Sequence, residues 1–208
     1  MIINENFIQD LIKQKLEKRK IGKVRCRLNL ANTNFESVWN GKYPNESPIL
    51  QPEIDLVVKN NYSLNAIEVK YFKAERDSKF NYSYYEGIDQ AISYLRFGFD
   101  FVALWHVFDD IPLSQFKEYG WRTWNFLREL TIPIDFTYFI FNNSDNSIKG
   151  VKTNDPRDET LLPDLSEGPP ILAWRHPNPY LLTVEGKKIR SVINDIVGKL
   201  LKKEIGEE

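Results

Sequence analysis

Two histidines, one methionine and one cysteine are all that this 208-residue chain carries of its rarest side chains, and each scarcity closes off a class of chemistry. A lone Cys26 cannot form an intramolecular disulfide, which points to a reducing, intracellular setting. His106 and His176 are too few and too far apart for a zinc or phosphodiesterase site built on histidine. His106 reads as a satisfied core residue, and Trp174-Arg175-His176-Pro177 as a packed loop. There is no cysteine pair for zinc, no Gly-rich phosphate loop and no Gly-x-Ser-x-Gly elbow, so neither ATP use nor covalent serine chemistry is expected. The longest apolar run, Phe99 to Phe108, is interrupted by Asp100 and His106. It is about half as long as a membrane span requires. No signal peptide, internal repeat or low-complexity tract is read either, so a cytoplasmic protein with no membrane partner is expected.

What is present is the composition of an ordinary soluble globule, 42% hydrophobic, 27% charged and slightly rich in aromatic rings at 13%. The length suffices for one well-buried domain. A net charge of −1 is not the footprint of a general nucleic-acid binder. The charge is nonetheless uneven. Lys13, Lys15, Lys18, Arg19, Lys20, Lys23, Arg25 and Arg27 face only Glu5, Asp10 and Glu17 within residues 1–27. Such a stretch either tracks a phosphate backbone or forms a solvated helix face. Lys18, Arg19 and Lys20 are its candidate nucleic-acid contacts.

Periodicity orders the chain as helix, three strands, helix, strand, helix, strand and a mixed C-terminal part. Asn4 is placed to cap a helix over Glu5–Arg19, with Phe7, Ile8, Leu11, Ile12 and Leu16 on one side. Lys23–Leu30 alternates as a strand. Residues 31–51 are rich in Asn, Gly and Pro and read as loop, with a short strand at Phe35–Trp39. Asp77–Tyr85 reads as a polar, aromatic and mobile crossing, followed by helices over Glu86–Phe97 and Leu113–Leu130 and strands over Phe101–Phe108 and Ile134–Phe141. Residues 1–145 therefore read as a core and 146–208 as an extension packed on it. In the extension, the prolines of residues 150–180 suggest an extended excursion. The apolar stripe of Gly186–Glu204 is expected to dock on the same globule or on a second copy, giving a homodimer.

The densest information lies in Glu53-Ile54-Asp55-Leu56-Val57-Val58 and Ala66-Ile67-Glu68-Val69-Lys70-Tyr71-Phe72. Both are strand-like runs, separated by the turn residues Asn60-Asn61-Tyr62-Ser63. A turn centred between Asn61 and Tyr62 sets Asp55 opposite Glu68 and Glu53 opposite Lys70. These four would share one face, and Ile54, Leu56, Val58, Ile67, Val69 and Tyr71 the other. Opposed residues hold their Cβ atoms about 4.5–5.5 Å apart. Two carboxylates that close repel unless a cation or a proton lies between them. A hard divalent metal, which takes oxygen ligands and keeps several waters, removes that repulsion.

Asp55 followed by Glu68-Val69-Lys70 resembles the core motif of the PD-(D/E)XK nuclease superfamily, with Ile54-Asp55 where many members have Pro-Asp. Gln90-Ala91-Ile92-Ser93-Tyr94 is similar to the Gln-x-x-x-Tyr helix element of its RecB-like branch, and Leu95–Asp100 to the handover that follows it. The resemblance covers residues 1–110. It implies a three-layer α/β/α restriction-endonuclease-like core with a mixed central β-sheet, and a Mg2+- or Mn2+-dependent hydrolase of phosphodiester bonds in DNA. Asp55, Glu68 and the Val69 carbonyl would hold the metal, and Lys70 would position or activate water. Gln90 and Tyr94 would support the site, as would a first-helix acid, either Glu5 or, failing that, Glu17. At Glu5 the bland alternative is an acid favoured by the helix dipole. The rival readings are a non-cutting nucleic-acid-binding module on the same fold and a nuclease directed at RNA.

Overall fold

Alternating and helical runs take turns along the chain, and the structure, a computed structural model, follows them. It describes residues 3–46, 53–73, 83–109, 113–151, 161–167 and 175–203. The helices are α1 (Glu5–Lys18), α2 (Phe35–Lys42), α3 (Ile88–Leu95), α4 (Leu113–Glu129) and α5 (Val184–Lys203). The strands are β1 (Lys23–Asn29), β2 (Glu53–Lys59), β3 (Leu64–Phe72), β4 (Phe101–Asp109), β5 (Asp135–Asn142), β6 (Ser147–Val151) and β7 (Leu161–Asp164).

Among the described residues the seven strands form one open mixed sheet in chain order. The pairs β3–β4 and β4–β5 are parallel, because α3 and α4 carry the chain back between them, and the other neighbours are antiparallel. Alternation along β4 shows how the two faces are covered. Ala103, Trp105 and Val107 join Ile8, Ile12 and Leu16 of α1, whereas Val102, Leu104 and Phe108 join side chains of α2, α3, α4 and α5. α1 thus covers one face and the other four helices cover the opposite one.

Each element has a local cause. Asn4 Oδ1 accepts from Phe7 N–H at 3.0 Å and opens α1. The hairpin between β2 and β3 turns on Asn60, whose Oδ1 accepts from the backbone N–H groups of Tyr62 and Ser63, each at 2.8 Å. The ladder runs Lys59↔Leu64, Val58↔Asn65, Val57↔Ala66, Leu56↔Ile67. That is the register expected from a turn centred between Asn61 and Tyr62.

Three expectations are corrected. Phe35–Trp39 is not a strand but the start of α2. Phe35, Val38 and Trp39 all pack on the larger core, a spacing of three and four that a helix gathers on one side, whereas a strand would turn Val38 to the opposite face. Within residues 150–180, the described Leu161–Asp164 is not an irregular excursion but the edge strand β7 beside β6, so the sheet continues past residue 146. Ile54 does not share the face of Leu56 and Val58. It packs on the side of α3 with Leu28, its partner across β1.

The cause of that last change is Arg27, which adopts φ +49 between the pairs Cys26↔Leu56 and Leu28↔Ile54. A left-handed residue inside a strand kinks the ladder and re-aims the side chains beyond it. The Arg27 guanidinium holds the kink against α1, donating to Asp10 at 2.8 Å and to the Asn6 carbonyl at 3.3 Å. Arg27 lies across the ladder from Asp55.

α5 docks on the same globule, with Ile189, Val192, Ile193, Ile196 and Val197 all buried in the larger core. Its seat is fixed by polar contacts where α3 hands over to β4. Asn178 Nδ2 donates to the Leu95 and Phe99 carbonyls at 2.6 and 2.8 Å. Asp100 accepts from Leu64 N–H and from Arg190. Gly98, at φ +74, passes so close that a Cβ would lie 2.6 Å from the Arg190 backbone nitrogen. Replacing Asn178 by alanine leaves two carbonyls without their donor, and an unsatisfied buried group costs about 1–3 kcal/mol. Thermal unfolding of Asn178→Ala is expected to show a lower midpoint, by about 2–4 °C per kcal/mol in a chain of this size.

Candidate active site

The two strands of the hairpin part just where the charged residues lie. One step past Leu56↔Ile67, the Val69 N–H donates to Asp55 Oδ2 at 2.8 Å. A side chain has replaced a strand carbonyl as acceptor, which draws the Asp55 carboxylate between β2 and β3. The Glu53 carbonyl, also beyond the ladder, lies instead 3.1 Å from Tyr94 Oη. The opening created in this way is lined by carboxylate oxygen.

Glu68 reaches it from β3 and is fully buried, and Asp55 is only 9% exposed. Tyr94 Oη donates to Glu68 Oε2 at 2.5 Å, bringing α3 onto the acid. Glu68 Oε1 is ion-paired with the Lys70 ammonium 2.7 Å away. Lys70 also lies 3.7 Å from Glu5 Oε1, and Tyr71 N–H donates to Glu5 Oε2 at 3.4 Å. The first turn of α1 and the end of β3 therefore meet at this point.

The expected residues thus divide. Asp55, Glu68, Lys70, Tyr94, Glu5 and the Val69 backbone come together. Gln90, one turn before Tyr94, is exposed and makes no side-chain bond among the described residues. Glu17 is exposed near the far end of α1, 3.8 Å from Lys13. Lys18, Arg19 and Lys20 are also at that end. Fourteen residues of helix separate it from Glu5 by about 20 Å. Arg19 donates to the Leu165 carbonyl, while Lys18 and Lys20 face solvent. Lys70 pairs with Glu68 and Glu5 rather than with Glu53, which is exposed.

Burial and mutual repulsion set the protonation. Burial first, and the Glu68 charge second, push the Asp55 carboxyl up to about 8, against the pull of the Val69 N–H and of Lys70. Burial also raises Glu5 above the usual carboxylate range. Lys70 opposes that rise, and Glu68 and Glu86 add to it. For Lys70 burial acts downward, but Glu68, Glu5 and Asp55 outweigh it and keep the ammonium charged above the usual lysine range.

Comparisons with family models, with curated proteins and with solved structures gave no match. The site rests on its own geometry.

Among the described residues no three His, Cys, Asp or Glu side chains already converge as a metal cage. The donor set still fits a hard cation. It offers a fully buried carboxylate oxygen on Glu68, whose partner is the Lys70 ammonium at 2.7 Å, and a second carboxylate, on Asp55, raised by burial and by the Glu68 charge. Mg2+ is held by one or two carboxylates with waters completing its shell, so a full protein cage is not required. In the structure the Lys70 ammonium supplies the positive charge.

Two neighbours escaped the sequence reading. Glu86 stands close enough to raise Glu5. His106, paired with Lys70 across the β3–β4 ladder, donates from Nε2 to the Glu86 carbonyl, 3.0 Å away. Its burial lowers it to about 4, so the ring is neutral, and Nδ1 has no partner. Only the even spacing of Leu104, His106 and Phe108 hinted that His106 faces the side of α3.

A raised acid destabilises the fold as it ionises. The Asp55 contribution is fully present below its ordinary value of 3.8 and is lost once the pH has risen through about 8. Asp55→Asn keeps an acceptor for Val69 N–H and removes the charge. In EDTA the variant is expected to melt above the parent at pH 8, by about 2–4 °C per kcal/mol of repulsion removed. The gap should close toward pH 4, as calorimetry across that range would show. A gap independent of pH would mean that Asp55 is not the strained charge.

Proposed function

We propose that this chain is a metal-dependent nuclease of the PD-(D/E)XK type, with a restriction-endonuclease-like three-layer core, hydrolysing phosphodiester bonds in DNA. The observation that supports it best is the burial of Asp55 and Glu68 side by side, with Lys70 on them. Structural acids on a half-exposed strand point to water, where repulsion costs little. A pair buried at the point where a hairpin opens is costly unless it holds a cation.

In this reading Asp55, Glu68 and the Val69 carbonyl hold Mg2+ or Mn2+. When bound, such an ion lowers the pKa of a coordinated water and shields phosphate charge. Glu68 is oriented by Tyr94, whose hydroxyl fixes Oε2, and Oε1 would serve a cation once Lys70 has moved off it. Lys70 moves from pairing Glu68 to facing the substrate, where its ammonium orients the attacking water and offsets charge growing on the phosphorane. Glu5 is the carboxylate left to receive the Lys70 ammonium or a water-held proton. Lys18 and Lys20 lie about 20 Å along α1 from Glu5, a distance of about six base steps at 3.4 Å each. A duplex long enough to meet both would bind more weakly, with a shallower salt dependence, once both lysines are neutralised.

Purified protein is to be incubated with labelled single-stranded, duplex, flapped and four-way-junction DNA in Mg2+, Mn2+ or EDTA. Metal-dependent cutting is expected, and it should be abolished in Asp55→Asn and in Glu68→Ala with folding and binding kept. Lys70→Ala should lose about 10²–10³-fold in rate. Tyr94→Phe, which removes only the hydroxyl on Glu68, should lose about 10–100-fold in metal affinity or rate. Undiminished cutting by Asp55→Asn would sink the mechanism. Binding without cutting in any metal would favour the non-cutting module or an RNA substrate.

A further inference from the structure

The turn of residues 83–87, which leads into α3, carries aromatic side chains beside the site, and it is anchored from three elements. Thr123 Oγ1 donates to the Tyr84 carbonyl at 2.7 Å from α4. His106 Nε2 meets the Glu86 carbonyl at 3.0 Å from β4. Gly87, at φ +80, lies against the Lys70 stem so closely that a Cβ there would stand 2.9 Å from Lys70 Cγ. Three elements therefore fix a turn that ends on the candidate catalytic lysine.

On this turn Tyr85 is 44% exposed, although a tyrosine can bury most of its ring. Its orientation is set all the same. Phe126 meets it edge to face with ring centres 4.8 Å apart, and the Tyr84 hydroxyl donates to the Tyr85 hydroxyl at 2.8 Å. The Tyr84 ring lies tilted against Tyr85 with centres 4.0 Å apart, and Arg122, ion-paired with Glu118, stands 5.7 Å from the centre of the Tyr84 ring, so the hold on Tyr85 extends to α4. Two residues of chain place the Tyr85 Cα within about 7 Å of that of Gly87.

We propose that Tyr85 is a stacking seat for an unpaired base of the DNA strand whose phosphate lies at Lys70. A held, half-exposed ring on a turn that packs against the Lys70 stem matches the π-face and the phosphate of a single-stranded nucleotide. In a duplex the faces of each base are already stacked on their neighbours, so the seat selects flayed or single-stranded DNA. Its occupant is one base, adjacent to the scissile phosphate. This assignment rests on the nuclease reading and extends it to the form of the substrate.

The test is binding to a labelled single strand and to a blunt duplex, measured by fluorescence anisotropy in the non-cutting Glu68→Ala background. Tyr85→Ala is expected to weaken single-strand binding about tenfold and to leave duplex binding unchanged, while Tyr85→Phe retains the affinity. Trp121→Ala serves as the control. Trp121 is comparably exposed, at 41%, but lies on α4 rather than on the anchored turn, so no change is expected. With Glu68 restored, Tyr85→Ala should raise KM for single-stranded DNA and leave kcat within about twofold. Equal loss on both substrates, no loss on the single strand, or an equal loss in Trp121→Ala would overturn the seat while leaving cleavage, and so the nuclease reading, intact. An RNA strand of the same sequence bound more tightly would overturn DNA as the occupant. Absence of any nucleic-acid binding would instead remove the nuclease reading, and the seat with it.

Discussion

A backbone N–H inside a sheet must find an acceptor, and at Val69 that acceptor is the Asp55 carboxylate rather than a carbonyl of β2. The rest of the site depends on this substitution. It ends the β2–β3 ladder at Leu56↔Ile67 and draws Asp55 inward. It also leaves the Glu53 carbonyl for Tyr94. Arg27, left-handed and facing Asp55 across β1, kinks the adjoining ladder at the same level and turns Ile54 toward α3. The β2–β3 pair is laddered on one side of this line and open on the other, while β1–β2 and β3–β4 stay paired on both sides.

Opening the hairpin in the interior has an electrostatic consequence. Glu68 has no solvent exposure, and Asp55 almost none. Neither burial nor repulsion can be relieved by water, so a proton on Asp55 and the ammonium of Lys70 take up the charge. A site arranged in this way shares its charge between a proton and its own lysine, which compete for it as the pH changes. That competition distinguishes it from an ordinary ion pair, in which one acid and one base satisfy each other. The hydrophobic walls sharpen the effect, since Leu104, packed against the same face, supplies no polar relief.

Much of this was legible residue by residue. The Asn60 turn and the two alternating runs determine the hairpin register, because a period of two allows only one pairing that keeps Val57 and Ala66 opposed and buried. Asp55, Glu68 and Lys70 follow from that register alone. Helical spacing located α1, α3, α4 and α5 to within about two residues. It failed at α2, where an eight-residue helix in an Asn- and Gly-rich stretch has too few turns to show a period. It failed again at β7, an edge strand of four residues that contains Pro163. Gln90 and Tyr94 look equivalent as a spaced pair, yet only Tyr94 turns inward, because Glu68 offers it a buried acceptor and Gln90 has none.

Apart from α2 and the strands after β5, the sequence by itself determined which residues are strand, which are helix and which charges lie on the hairpin, since those are matters of local periodicity and turn chemistry. Tertiary structure alone decided what the charges meet. Glu5 and Tyr71 stand 66 residues apart and touch only because α1 lies across one face of the sheet with its first turn at the end of β3. Tyr94 finds Glu68, and His106 finds the Glu86 carbonyl, only because the β3–α3–β4 crossover returns the chain over the same face. Lys18, Arg19 and Lys20 belong to the same basic stretch as the start of α1 but end at the opposite pole, because a helix is a rigid rod. Composition records how much charge a segment carries. Packing fixes its direction, its partners and its distance from the site.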